Sequence, residues 1–153
     1  MSRFIYRMQN ILNIKDKMEQ QAKSEFAAAN LRVLNEEEKL QKCFLKREKL
    51  QEAGRQLLLA DRLSIPDIEE NKKLVSHASE QVRAQTIQVK MAQKKLEEQR
   101  IRMHKAMQER KTQEILKEKA FDVFLQEEKA AESKEIDELT SYTHGQKSDD
   151  DRW

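Results

Sequence analysis

Residues 82–106 read VRAQTIQVKMAQKKLEEQRIRMHKA, and their spacing decides the fold. Val82, Val89, Leu96 and Met103 stand seven residues apart, and Gln85, Ala92, Gln99 and Ala106 follow each of them by three. Outward from this stretch the first line continues through Ile68 and Val75 on one side and Arg110, Lys117, Phe124 and Ala131 on the other. The second line runs from Ala78 to Gln113 and Ala120. A straight helix drifts ~20° per heptad, so a repeat this long is expected only where two helices supercoil around each other.

The first half of the chain carries the same period. One line is Ile5, Leu12, Glu19, Phe26, Val33, Leu40, Arg47 and Gly54; the other is Met8, Lys15, Ala22, Ala29, Glu36, Cys43, Leu50 and Leu57. Between the halves lies Leu63-Ser64-Ile65-Pro66-Asp67, with the only proline. Ser64 suits an N-cap, Pro66 a first turn and Asp67 the third position of a capping box. A proline inside one continuous helix would cost ~3 kcal/mol, so a second helix is expected to begin here.

The expected fold is therefore all-α, a long antiparallel two-helix coiled-coil hairpin over 3–142. Helix one takes about 3–60, the turn 61–64 and helix two 65–142. At ~1.5 Å per residue the arms are roughly 85 and 115 Å long. Residues 143–153, with Gly145, Ser148 and Asp149-Asp150-Asp151, read as a disordered tail in which Trp153 is a bystander. One register sets Leu57 beside Val75, Leu40 beside Ala92, Phe26 beside Ala106 and Met8 beside Phe124, so that large residues face small ones. It also sets Lys15 beside Lys117, with Glu19 and Arg110 near enough to compensate. A slip of one heptad, with Val33 beside Ala92, fits the same two lines.

Composition agrees with a two-helix seam. The 153 residues are 38% charged and 37% hydrophobic, with two glycines and 5% aromatic. Mean hydropathy is −0.96, low for a compact core of this length. Thirty basic against 28 acidic residues leave a formal charge of +2, which recruits no nucleic acid globally. A single Cys43 excludes a disulfide framework and suits a reducing cytoplasm. No apolar run approaches the ~20 residues of a membrane span, and no signal peptide is visible.

Chemistry is sparse. His77, His104 and His144 lie far apart with no partner at ligand spacing, so no metal, cofactor or catalytic residue is assigned. A two-helix rod offers no concave pocket in which to desolvate paired carboxylates, so the chain is not expected to be an enzyme.

Three features go beyond a solvated coiled coil. Phe4, Ile11 and Met18 lie on a third heptad line, with Phe121, Val123 and Leu125 near the other terminus; they either widen the seam or form a docking surface. Ile87, Ile101 and Ile115 recur every fourteen residues opposite the seam. Residues 82–119 hold eleven basic and five acidic side chains, whereas 120–139 hold two and seven. The basic stretch has no aromatic residue for base stacking, which argues against nucleic acid.

The opening Phe4-Ile5-Tyr6-Arg7-Met8-Gln9-Asn10-Ile11-Leu12-Asn13-Ile14-Lys15 resembles the first helix of the flagellar export protein FliJ family. Glu109-Arg110-Lys111, Leu116-Lys117-Glu118-Lys119, Phe124, Glu127-Glu128 and Lys134-Glu135-Ile136-Asp137-Glu138 are similar too. The resemblance spans Arg3 to about Tyr142. It implies a non-enzymatic component of the flagellar type III export machinery, serving motility and built like the central stalk of a rotary ATPase. Its open end would enter the pore of a hexameric export ATPase. The rod would also contact the cytoplasmic part of the membrane export gate and handle export chaperones, as a cytoplasmic monomer peripherally associated with the membrane. On this resemblance Phe4, Tyr6, Arg7 and Gln9 are candidate ATPase-facing residues, and Leu74 is a candidate gate contact. The alternative is a generic cytoplasmic coiled-coil scaffold that touches no ATPase.

Overall fold

The computed structural model describes residues 2–150, with the side chains of residues 2–146. Two helices account for most of it: α1, Gln9–Leu59, and α2, Ile65–Asp150. Residues 60–64 join them, and the first backbone bond of α2 runs from the Ile68 amide to the Ser64 carbonyl at 3.0 Å, which makes Ser64 the N-cap. Asp67 lies in the first turn, where a negative charge opposes the positive end of the helix dipole. Among the described residues there is no strand, and the two helices pack antiparallel as a helical hairpin.

The packing divides into two compact units. One takes residues 20–105. Its core is Ala22, Ala29 and Val33 of α1 against Ala78, Val82, Val89 and Ala92 of α2, all buried and all on the heptad lines. Each buried valine contributes about 2 kcal/mol by leaving water, and the alanines let the backbones approach.

Three polar side chains fix the register of this unit. Asn71 Nδ2 donates to the Leu50 carbonyl at 2.9 Å, and Gln85 Nε2 donates to the Glu36 carbonyl at 3.0 Å. With its amide turned to satisfy both atoms, the buried Gln99 donates to the Glu25 carboxylate at 3.2 Å and accepts from Lys95 at 3.3 Å. These bonds set each α1 residue of the unit across from an α2 residue about one heptad nearer the turn than the Leu57–Val75 alignment requires. The slipped alignment, Val33 across from Ala92, is the one adopted. Gly54 then faces Asn71, and a Cβ at Gly54 would collide with the Asn71 amide.

The other unit takes the described residues up to Glu19 and from Ala106 onward. Leu12 is buried, and so is Glu19, which pairs with Arg110. Lys15 pairs with Glu109 at 3.0 Å, so the expected clash of Lys15 with Lys117 does not arise. Among the described residues every buried side-chain nitrogen and oxygen has a hydrogen-bond partner.

Two boundaries differ from expectation. Residues 3–8 are not helical, and α1 starts at Gln9. Residues 143–150, expected as tail, continue α2, because nothing between Tyr142 and Asp150 breaks the helix: Gly145 alone costs only ~1 kcal/mol. All described side chains from Lys129 to Gln146 are exposed. The remainder of the expected tail, with Trp153, lies outside the described residues.

Candidate partner-docking site

The four residues singled out at the start of the chain all fall in the unit that contains both ends. Arg3 to Tyr6 precede the helix, a turn bonded from the Gln9 amide to the Tyr6 carbonyl at 3.2 Å follows, and α1 begins. An extended chain turns alternate side chains to opposite sides, whereas a helix turns every third or fourth. Ser2, Phe4 and Tyr6 point to α2, and Arg3, Ile5 and Arg7 point away. The segment is a strap laid across α2.

Its contacts give the strap its anchor. Ser2 Oγ donates to the Glu128 carboxylate. The Phe4 ring meets Phe121 edge-on, centroids 5.1 Å apart at 69°, and lies 5.4 Å from Phe124. Phe121 and Phe124 stack at 6.3 Å. Such ring pairs each add about 0.5–1.5 kcal/mol beyond their buried area. The Tyr6 hydroxyl donates to Gln113 Oε1 at 3.3 Å, and Tyr6 is 9% exposed.

This placement corrects part of the sequence reading. Ile5 and Met8 were assigned to the seam; Ile5 is instead 79% exposed and Met8 37%. The heptad assumes a helix, and the chain is not one before Gln9. Tyr6, expected outside the seam and facing a partner, is an internal anchor. Phe4 is half-buried, and Gln9 is half-buried with its amide donating to Asn13 Oδ1 at 2.9 Å. Of the four candidates, Arg7 alone is fully on the surface. The alternation Phe4, Tyr6 against Ile5, Arg7 was the signal that could have revealed this.

Nearby, Ile11, Met18, Val123 and Leu125 remain exposed, so the third heptad line widens no seam there; only Phe4, through its rings, joins the packing. In the unit of residues 20–105, Leu74 is exposed, as are Ile87 and Ile101. Ile115, the third of that line, is exposed in the other unit. No described group of three or more His, Cys, Asp or Glu is placed to hold a metal ion, and no described helix is long and apolar enough to cross a membrane.

The outer side of the strap is thus apolar and cationic, with Arg3, Ile5, Arg7 and Met8, while α2 of the same unit presents Val123 and Leu125 between the acidic Asp122 and Glu127.

The family profile described as flagellar FliJ protein matches residues 4–149. Among solved structures, that of a YscO homologue from Chlamydia trachomatis superposes with a TM-score of 0.77 at 24% identity. The match covers 93% of this chain and 96% of that one, which shows a shared fold. No curated protein matches the chain.

Proposed function

The chain belongs to the flagellar FliJ protein family, a coiled-coil family associated with type III export, and on that premise we propose that it is a non-enzymatic export component whose two ends dock in the pore of the hexameric export ATPase. There it promotes the working of the ring. Through its remaining surface it joins the ATPase to the cytoplasmic part of the export gate, with Leu74 as a contact, and to export chaperones.

The observation that supports docking is the exposed set Arg3, Ile5, Arg7 and Met8, held beside α2 by buried anchors. A positive, apolar projection from a fixed base suits insertion into a ring, because burying Ile5 and Met8 supplies affinity while Arg7 selects an acidic lining. Phe4 and Tyr6 serve this surface by fixing it.

The test is the hydrolysis rate of the purified export ATPase with and without the chain. The chain accelerates hydrolysis, and Ile5→Ser with Arg7→Glu removes at least tenfold of the apparent affinity. Absence of any acceleration by the unaltered chain overturns the docking reading in favour of a scaffold that touches no ATPase. Leu74→Glu weakens capture of the gate's cytoplasmic domain and leaves ATPase acceleration intact.

A further inference from the structure

The residues of the strap satisfy two incompatible patterns. As an extended chain they place Phe4 and Tyr6 inward, as observed. As a helix they would continue both heptad lines of α1: Ile5 seven residues before Leu12, and Met8 seven before Lys15. A side chain turned in under one pattern is turned out under the other.

Nothing in the sequence forbids the helix. Arg3 to Met8 contains no glycine and no proline. The amide of Gln9 is already bonded to the Tyr6 carbonyl, and those of Ile11 and Leu12 to the Met8 carbonyl at 3.0 and 3.1 Å. Growth of a helix from an existing end avoids the unfavourable nucleation step. The seam positions it would meet on α2 are in place: in the observed register Ile5 would face Ala120 and Met8 would face Lys117, both half-buried.

The reach of the strap shows that it is not simply a frayed helix. From the Glu128 contact of Ser2 to the Gln113 contact of Tyr6 it covers about 22 Å of α2, counted at 1.5 Å per residue. Four helical steps would cover only about 6 Å, and four extended steps about 13 Å.

We infer that Arg3–Met8 is a two-state switch between this strap, pinned by Phe4 and Tyr6, and a helical extension of α1 in which Ile5 and Met8 enter the seam. The strap state shows Ile5 and Arg7 to a partner. The helical state turns Phe4 and Tyr6 outward and frees Phe121 and Gln113. The switch is a property of the chain alone and stands whether or not the docking reading does.

Backbone NMR of the full chain tests it without any partner. The unaltered protein gives extended secondary shifts at residues 3–6. Phe4→Gln with Tyr6→Gln removes both anchors, and the shifts of residues 3–8 move to helical values while those of residues 12–57 stay unchanged. Adding Ile5→Gln and Met8→Gln to that variant abolishes the helical shifts, because seam packing drives them. Random-coil or extended shifts in the double variant overturn the switch. So do helical shifts that survive in the quadruple variant, since propensity rather than packing would then account for them.

Discussion

The carboxylate of Glu19, 2% exposed, receives the guanidinium of Arg110 from the facing helix, and Arg110 also reaches Glu114 at 2.7 Å. The hydrogen bonds it donates to Glu19 and then Glu114 hold the Arg110 guanidinium even more firmly protonated than usual. With Lys15–Glu109 beside it, the pair forms a charged layer in the seam.

Breaking such a buried pair on one side is worse than removing it whole, because the remaining charge is left desolvated. Arg110→Leu is therefore expected to lower the melting temperature by several degrees. Glu19→Leu with Arg110→Leu should recover most or all of that loss. Thermal unfolding followed by circular dichroism checks this, and a double variant no better than the single would refute it.

The register is open to covalent proof. In a Cys43→Ser background, Val33→Cys and Ala92→Cys should oxidise within one chain, since facing seam positions lie near disulfide distance. Leu40→Cys with Ala92→Cys should not. Mass spectrometry and gel mobility distinguish them, and by closing a long loop the bond should stabilise by up to about 4 kcal/mol.

Gly54 and Asn71 should show energetic coupling. Gly→Ala within a helix is worth about 1 kcal/mol by propensity. At Gly54 the new methyl displaces the Asn71 amide and breaks its bond to Leu50, which offsets about 1 kcal/mol or more. Gly54→Ala should thus be neutral to destabilising alone, yet stabilising by about 1 kcal/mol when Asn71 is already alanine. Urea unfolding of the four proteins in the cycle gives the answer.

Surface ion pairs give a small acid limb to the stability curve. Gln56 and Arg55 hold Glu52 below the ordinary carboxylate range, and Arg100 does the same for Glu97. A carboxylate with a depressed folded-state pKa stabilises fully above its unfolded value and loses that contribution as pH falls through the folded one. The melting temperature should therefore drop as the solution is acidified through and below the ordinary carboxylate range. The part owed to these pairs should shrink in Arg100→Ala and in high salt, since both carboxylates are exposed.

From Leu12 to Leu57 and from Ile68 to Phe124 the heptad lines in the sequence coincide with the half-buried and buried positions of the two helices. A single period of seven was enough for that. It was not enough for register, because a heptad pattern looks the same after a slip of seven; the choice was made by Asn71, Gln85 and Gln99, whose amides need particular partners. Nor could it place Ile5 and Met8, which fit the lines but precede the helix. There the competing period of two, with aromatic side chains at Phe4 and Tyr6, prevailed over the period of seven. In the segment of the candidate residues the heptad therefore misjudged which side chains face out, Ile5 being exposed and Tyr6 buried.

Beyond Glu128 no described side chain of α2 is buried, and an isolated helix of some twenty residues is only marginally stable in water. Its opening need not await the unfolding of anything else. Amide hydrogens there should exchange orders of magnitude faster than those around Val33 and Val89, and trypsin should cut first after Lys129 and Lys134. A chain shortened in this way would keep its paired helices and its melting point. Whatever cellular work fails in such a trimmed molecule is work assigned to the single helix alone, so the boundary at Glu128 offers a clean way to separate folding from recruitment.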